Sequence, residues 1–222
     1  MLSALRKKYE LGKYILTREG LLPFIEVAFL FPLRLLAAYK NLYIYELLLT
    51  EQRAEGFVPE VPNFTFEIIL TGQQLRDLTA RGFDFGIHFV SAEERLNKGA
   101  VMFCVFVGKE LAHIRWIAAT AEAKDSIVEI PCRVDFSKGE VYLGWSETVP
   151  RYRRKGLLVY TYFEIAKYLR KDGRTKVRAM VTKSNAASRN AHAKLGGRIC
   201  AEGRYLRLLW WKFWKEKTFI PE

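Results

Sequence analysis

Cysteine is sparse and badly placed for chemistry in this chain. Cys104, Cys132 and Cys200 lie far apart, form no Cys-x-x-Cys pair and make an odd total in 222 residues. That excludes a disulfide framework and a cysteine-based zinc site, and it favours a reducing compartment. Histidine is equally rare, and neither His88 nor His113 stands at metal-ligand spacing from a cysteine. No metal is therefore expected. A long hydrophobic run is also missing. The most apolar stretch, 21–39, is interrupted by Pro23, Glu26, Pro32 and Arg34, which excludes a membrane-spanning helix and leaves open one lying on a membrane surface. No cleavable leader, internal repeat or low-complexity tract is apparent. The expectation is a cytoplasmic protein, with 1–40 as the segment able to make a peripheral membrane contact.

What is present is hydrophobic and basic. Half the residues are hydrophobic, 14% are aromatic, and the formal charge is +12. Such a composition belongs to a globular chain whose field attracts polyanions. Nucleic acid, anionic lipid and a phosphate-rich cofactor all satisfy that charge. The absence of an RNA-recognition aromatic motif, a zinc finger or a helix-turn-helix pattern argues against nucleic acid.

The chain reads as an N-terminal extension, 1–40, split by prolines into short amphipathic helical pieces, followed by one domain over 41–222. In the extension Phe24, Phe29, Phe31, Leu33, Leu35 and Leu36 lie near Arg6, Lys7, Lys8 and Arg34, a pairing suited to a membrane or partner surface. Leu42 to Leu48 reads as a buried strand and Glu51 to Asn63 as a loop with Gly56, Pro59 and Pro62. Short helices are expected over Gln73 to Thr79 and Ala92 to Asn97. Val101 to Val107 and Ala112 to Ala118 form a hairpin signal around Gly108. Further strands are expected over Ser126 to Ile130, Val141 to Thr148, Lys176 to Thr182, Arg198 to Ala201 and Tyr205 to Trp214. Helices are expected over Leu157 to Lys171, with Thr161, Glu164, Lys167 and Lys171 as its polar stripe, and over Ala186 to Leu195. Hairpins followed by strand–helix alternation describe an α/β (α+β) fold with helices on the faces of a mixed sheet. The crossover through Leu157 to Lys171 requires the strands ending at Thr148 and Thr182 to be parallel neighbours.

The chemistry concentrates in Thr148-Val149-Pro150-Arg151-Tyr152-Arg153-Arg154-Lys155-Gly156-Leu157-Leu158. A strand ends, a basic loop with one glycine follows, and a helix begins at once. Free N–H groups and the positive end of the dipole make a helix N-terminus an anion site. Gly156 is expected to let the backbone approach a phosphate without an intervening Cβ.

This stretch resembles the donor loop of the GNAT (GCN5-related N-acetyltransferase) superfamily, Arg/Gln-x-x-Gly-x-Gly/Ala. Arg153, Gly156 and Leu158 take the three defined positions, with Pro150 and Tyr152 just upstream. Downstream, Asn185, Ser188, Lys194, Leu195 and Gly196 match the family's Asn after a strand and its helix ending Lys-Leu-Gly. The likeness covers roughly 100–210 well and 42–99 loosely. It implies a GNAT-like, mostly antiparallel sheet with two strands splayed at the donor site, and an N-acyltransferase that moves an acyl group from acetyl-CoA or another acyl-CoA to an amine acceptor by direct attack. It also implies that Thr148, Val149, Arg153, Arg154, Lys155, Gly156, Leu157, Leu158, Asn185 and Ser188 contact the donor. Three positions depart from the pattern: Leu158 replaces a small residue, Gly197 a phenylalanine, and His192 the tyrosine that serves the family as general acid.

Glu147 and His192 are the catalytic candidates. Alternation puts Glu147 in the row of Val141, Leu143 and Trp145 beside the donor loop, where a carboxylate can accept an amine proton; the competing reading pairs it with Arg151 or Arg153. An imidazole with an ordinary pKa near ~6.5 can supply a proton to a departing thiolate; the competing reading makes His192 a packing residue. Glu129, His113 and Asp135 are lesser candidates. The alternative function is a non-catalytic GNAT-fold module that engages anionic lipid or nucleic acid through its basic surface. The run Leu208 to Lys215 is expected as a strand with one aromatic face in the core, against a membrane or nucleic-acid reading.

Overall fold

In the computed structural model, which describes residues 37–49 and 57–219, strands dominate where β-branched and aromatic residues cluster. They are β1 (Ala37–Leu48), β2 (Phe64–Ile69), β3 (Val101–Val107), β4 (Glu110–Ala118), β5 (Glu140–Thr148), β6 (Lys176–Thr182), β7 (Arg198–Leu208) and β8 (Trp211–Thr218). The helices are α1 (Gly72–Ala80), α2 (Phe89–Asn97), α3 (Ala121–Ile127), α4 (Leu157–Lys171) and α5 (Ala186–Lys194). One sheet runs in the order β2-β3-β4-β5-β6-β1-β7-β8. Within it β5 and β6 pair in parallel and the other neighbours are antiparallel, as the crossover through α4 requires. None of these helices is long and apolar enough to cross a membrane.

The sheet is covered on both faces. On one, α4 buries Tyr162, Ile165, Ala166 and Leu169 against Phe103, Ile117, Val141, Leu143, Val177 and Ala179, and Leu157 against Val105 and Ala112. Thr161, read from the sequence as part of the polar stripe, is buried with them. Opposite lie Leu75 and Leu78 of α1, Ala92 and Leu96 of α2 and Ala123 of α3, packed on Met102, Cys104, Ile114 and Trp116.

The feature that positions the site is a break between β5 and β6. Their register runs from Glu140↔Lys176 to Leu143↔Ala179 and stops, although β5 continues to Thr148 and β6 to Thr182. The cause lies on the other side of β5. A register shift between Arg115 and Ile117 of β4 bends the β4–β5 ladder, as a β-bulge does. Gly144, the first residue past the paired stretch, sits against that bulge. A Cβ there would stand 3.0 Å from the Trp116 carbonyl oxygen and 2.9 Å from Ile127 Cγ2.

Several expectations change. Ser126 to Ile130 is not a strand: Thr120 caps α3 by accepting from the Ala123 N–H at 3.2 Å, and the helix carries Ser126 and Ile127. Strand β2 was not anticipated, although Phe64, Phe66 and Ile68 alternate with Thr65 and Glu67. The C-terminal strands divide elsewhere, because β7 runs through Gly203 and turns at Leu209 and Trp210. Gly203 makes room for the Trp214 ring, which a Cβ would strike. Much of the aromatic face lies outside the core: Trp210, Trp211 and Phe213 are exposed. Finally, β1 begins at Ala37, inside the segment expected as a helical extension; 1–36, and the membrane contact expected of them, lie outside the described residues.

Candidate active site

Between β5 and α4 the chain makes the basic loop. Pro150–Tyr152 form a short 3-10 turn. Arg154 then takes φ 64° and Gly156 φ 78°, with Lys155 between them on the ordinary side. Backbone that alternates in handedness turns successive N–H groups toward one concavity, which favours an anion. Among the described residues, the N–H groups of Arg154 through Val159 donate to no backbone carbonyl, and the first main-chain bond of α4 is Tyr160 N–H to Gly156 O at 3.0 Å. The donor set suits a diphosphate.

Gly156 serves this loop differently from the expectation. The space its missing Cβ leaves is filled by the chain itself: a Cβ would lie 2.8 Å from Phe57 Cζ and 3.7 Å from Pro59 Cα. The Glu60 N–H donates to Lys155 O at 2.9 Å, so the segment from Phe57 is strapped across the loop. Glycine is needed for the left-handed φ and for Phe57, and the N–H side is the one left for a ligand. Arg153 and Arg154 are exposed. The Arg153 Nε–H folds back to Thr148 O at 3.1 Å, while Arg151 pairs with Glu110. Val149 has spent its N–H on Ala112 O.

At the splay, a cavity of about 580 Å³ opens among β5, β6, α2 and α5. Glu147, Asn185, Ser188 and His192, picked out from sequence, all line it; no residue from Val149 to Leu158 does. Asn185 caps α5, its Oδ1 accepting from the Ser188 N–H at 3.0 Å. Asn185 and Ser188 thus line the cavity, which no residue of the basic loop reaches.

His192 is buried. Its Nδ1–H donates to Ser188 O at 2.8 Å, which leaves the Nε2 lone pair for Arg115 Nη2 at 3.5 Å. Burial first, then the Arg115 charge, lowers its pKa to about 4. The imidazole is neutral at pH 7, so the cationic acid expected from sequence is not what this environment supports. His88 behaves alike, lowered to about 4 by burial and by Arg95. Its Nε2 lies 3.9 Å from Glu147 Oε2, and its ring packs 5.1 Å from that of Trp145. His113 is buried beside the splay with Nδ1 2.7 Å from Thr148 Oγ1, and burial brings it to about 3.

The described architecture has counterparts among solved structures. A tandem GNAT protein from the clavulanic acid biosynthesis pathway aligns over 82% of this chain with a TM-score of 0.54 and 13% identity. A Drosophila protein aligns over 85% with a TM-score of 0.51 and 14% identity. The chain has the GNAT fold. It spans 55% and 58% of those two chains. No protein-family model and no curated protein matches it.

Within the GNAT fold here, sequence reasoning missed four residues: Arg115, Arg95 and His88 at the cavity, and Phe57 at the loop. A signal existed for Arg115. A charged residue in the central run Leu111 to Ala118, apolar apart from His113, demands a reason, because a strand buried on both faces rarely carries one.

Proposed function

We propose that the chain is an acyl-CoA-dependent N-acyltransferase. The observation that carries this reading is the row of N–H groups from Arg154 to Val159 that meet no backbone carbonyl among the described residues, at the start of α4 and beside the splay. In this reading the loop holds the donor's diphosphate, with Arg153, Arg154 and Lys155 adding charge. The acyl-CoA supplies a thioester, and an amine in the cavity attacks it directly. A thiolate is a tolerable leaving group because a thiol has a pKa of roughly 8.5, so no strong acid is required. Glu147, beside the neutral His88, accepts the proton from the attacking amine. His192, neutral and fixed by Ser188 and Arg115, orients Arg115 instead of donating. The likeness to a tandem GNAT protein supports the fold, and the loop supports the donor.

The test is coenzyme A thiol release from acetyl-CoA across a panel of amines, with calorimetry for donor binding. Glu147→Gln is expected to lower turnover by ~10²–10⁴-fold while coenzyme A still binds. Gly156→Glu is expected to abolish donor binding, since its side chain strikes Phe57 and strains the left-handed φ that aims the loop's N–H groups. Wild-type coenzyme A affinity in folded Gly156→Glu protein would overturn the assignment.

A further inference from the structure

Among the described residues, nothing balances the charge of Arg115. It sits in β4 with 2% of its surface exposed and lines the cavity at the splay. A buried guanidinium normally rests against a carboxylate, because an uncompensated charge in a dry site is strongly disfavoured. Among the described residues, Nη2 reaches only His192 Nε2, and Nε and Nη1 meet no acceptor. The groups whose fields act on it most are the phenols of Tyr162 and Tyr142, and burial keeps both neutral. Burial also lowers Arg115 to about 10, which leaves it protonated at pH 7.

The other cations of the cavity are placed differently. Lys40 is exposed, and the Arg95 guanidinium lies over the Trp116 ring at 5.3 Å. One buried charge with open donors suits a monoanion. A donor's diphosphate does not supply it, since no donor-loop residue lines this cavity. The anion therefore arrives with the acceptor. Ser146, directly across the ladder from Arg115, also lines the cavity, as does the carboxylate of Glu147. A cation in the depth and a carboxylate nearer the surface complement a molecule that carries both charges.

We propose that the acyl acceptor is an amine bearing a carboxylate, of the amino-acid class, and that Arg115 holds this carboxylate inside the cavity. The role as acceptor rests on the acyltransferase reading; the binding of the carboxylate does not.

The experiment matches free amino acids with their own carboxamides, which keep the amine and lose the charge. Two readouts are taken: thiol release from acetyl-CoA, and calorimetric binding with coenzyme A present. In wild type the acids should exceed their carboxamides in kcat/KM by about 10²-fold, the scale of a charge-assisted contact in a dry site. Arg115→Gln should bring that ratio toward one, and Arg115→Lys should recover part of it. Arg115→Gln should melt no lower than wild type, because it removes a buried charge without a partner; if it fails to fold, Arg115→Lys carries the comparison. Carboxamides that serve as well as acids in wild type would overturn the proposal. An equal loss on both members of each pair in Arg115→Gln would do the same and give Arg115 a role toward the reacting carbonyl. If no amine releases thiol, acyl transfer fails, and the binding readout decides on its own: acid-selective binding lost in Arg115→Gln upholds the carboxylate site, and unselective or absent binding removes it.

Discussion

Replacing Gly156 by alanine separates the two demands that the basic loop makes on this position. The first is conformational. At φ 78° an L-residue sits in the left-handed region, at a cost of about 1–2 kcal/mol. The second is steric. The new Cβ would stand 2.8 Å from Phe57 Cζ and 3.1 Å from Cε1, well inside the ~3.5–4.0 Å of an ordinary carbon contact. Phe57 is 39% exposed, so its ring can swing away. In doing so it forfeits its edge contact with Phe163, at 5.9 Å between centroids, worth ~0.5–1.5 kcal/mol. Gly196 provides the control, because it has the same φ of 78° with nothing within 4 Å of its missing Cβ. Gly156→Ala should therefore destabilise by about 1 kcal/mol more than Gly196→Ala, a difference of ~2–4 °C in melting temperature for a chain this long. The Phe57→Ala, Gly156→Ala double mutant should recover that increment in a cycle. Coenzyme A affinity should fall in Gly156→Ala and not in Gly196→Ala. Equal destabilisation at the two glycines, with additive double mutants, would refute the claim that Gly156 accommodates Phe57.

The buried histidines predict acid sensitivity. His88, His113 and His192 fall from an ordinary 6.5 to about 4, 3 and 4 in the folded chain, so the unfolded chain binds more protons between those values. Stability is then full above pH 6.5 and lost as pH falls toward 4 and below. At about 1.4 kcal/mol per pH unit for each group, melting should shift steeply between pH 6.5 and 4, and His192→Gln should flatten part of the slope; a flat profile would contradict the burial described. At the β7–β8 turn, Trp210 and Trp211 are 77% and 73% exposed, so changing both to serine should alter stability by no more than about 0.5 kcal/mol each. A loss several times larger on chemical denaturation would show that these rings are packed.

How far the sequence could be read depended on the range of the forces involved. The limits of α4 follow from local signals: Gly156 before it, and apolar residues at helical spacing through Leu169. The same is true of β6, whose alternating Val177, Ala179 and Val181 are buried. Once helix and strands are placed, chain connectivity alone makes β5 and β6 parallel. That the N–H groups of Leu157 to Val159 lack partners within the helix follows from its start, whatever surrounds it. Short apolar runs were less legible. Ser126 to Ile130 carries no period that separates strand from helix, and the Thr120 cap decided for helix. Alternation in β7 and β8 indicates strands without saying whether their aromatic face meets a core, and at the end of the sheet it meets little.

By itself the sequence determined where the basic loop lies and which strands flank it, because helix starts, turns and crossovers are set by residues close together in the chain. Only the tertiary structure decided what the cavity can hold. The charge state of His192 depends first on its burial and then on Arg115, 77 positions away. The charge left over on Arg115 depends on which acids the fold brings near it, and among the described residues none counters it. Desolvation and Coulomb forces act through space, so they take values only when distant strands and helices have closed around a site.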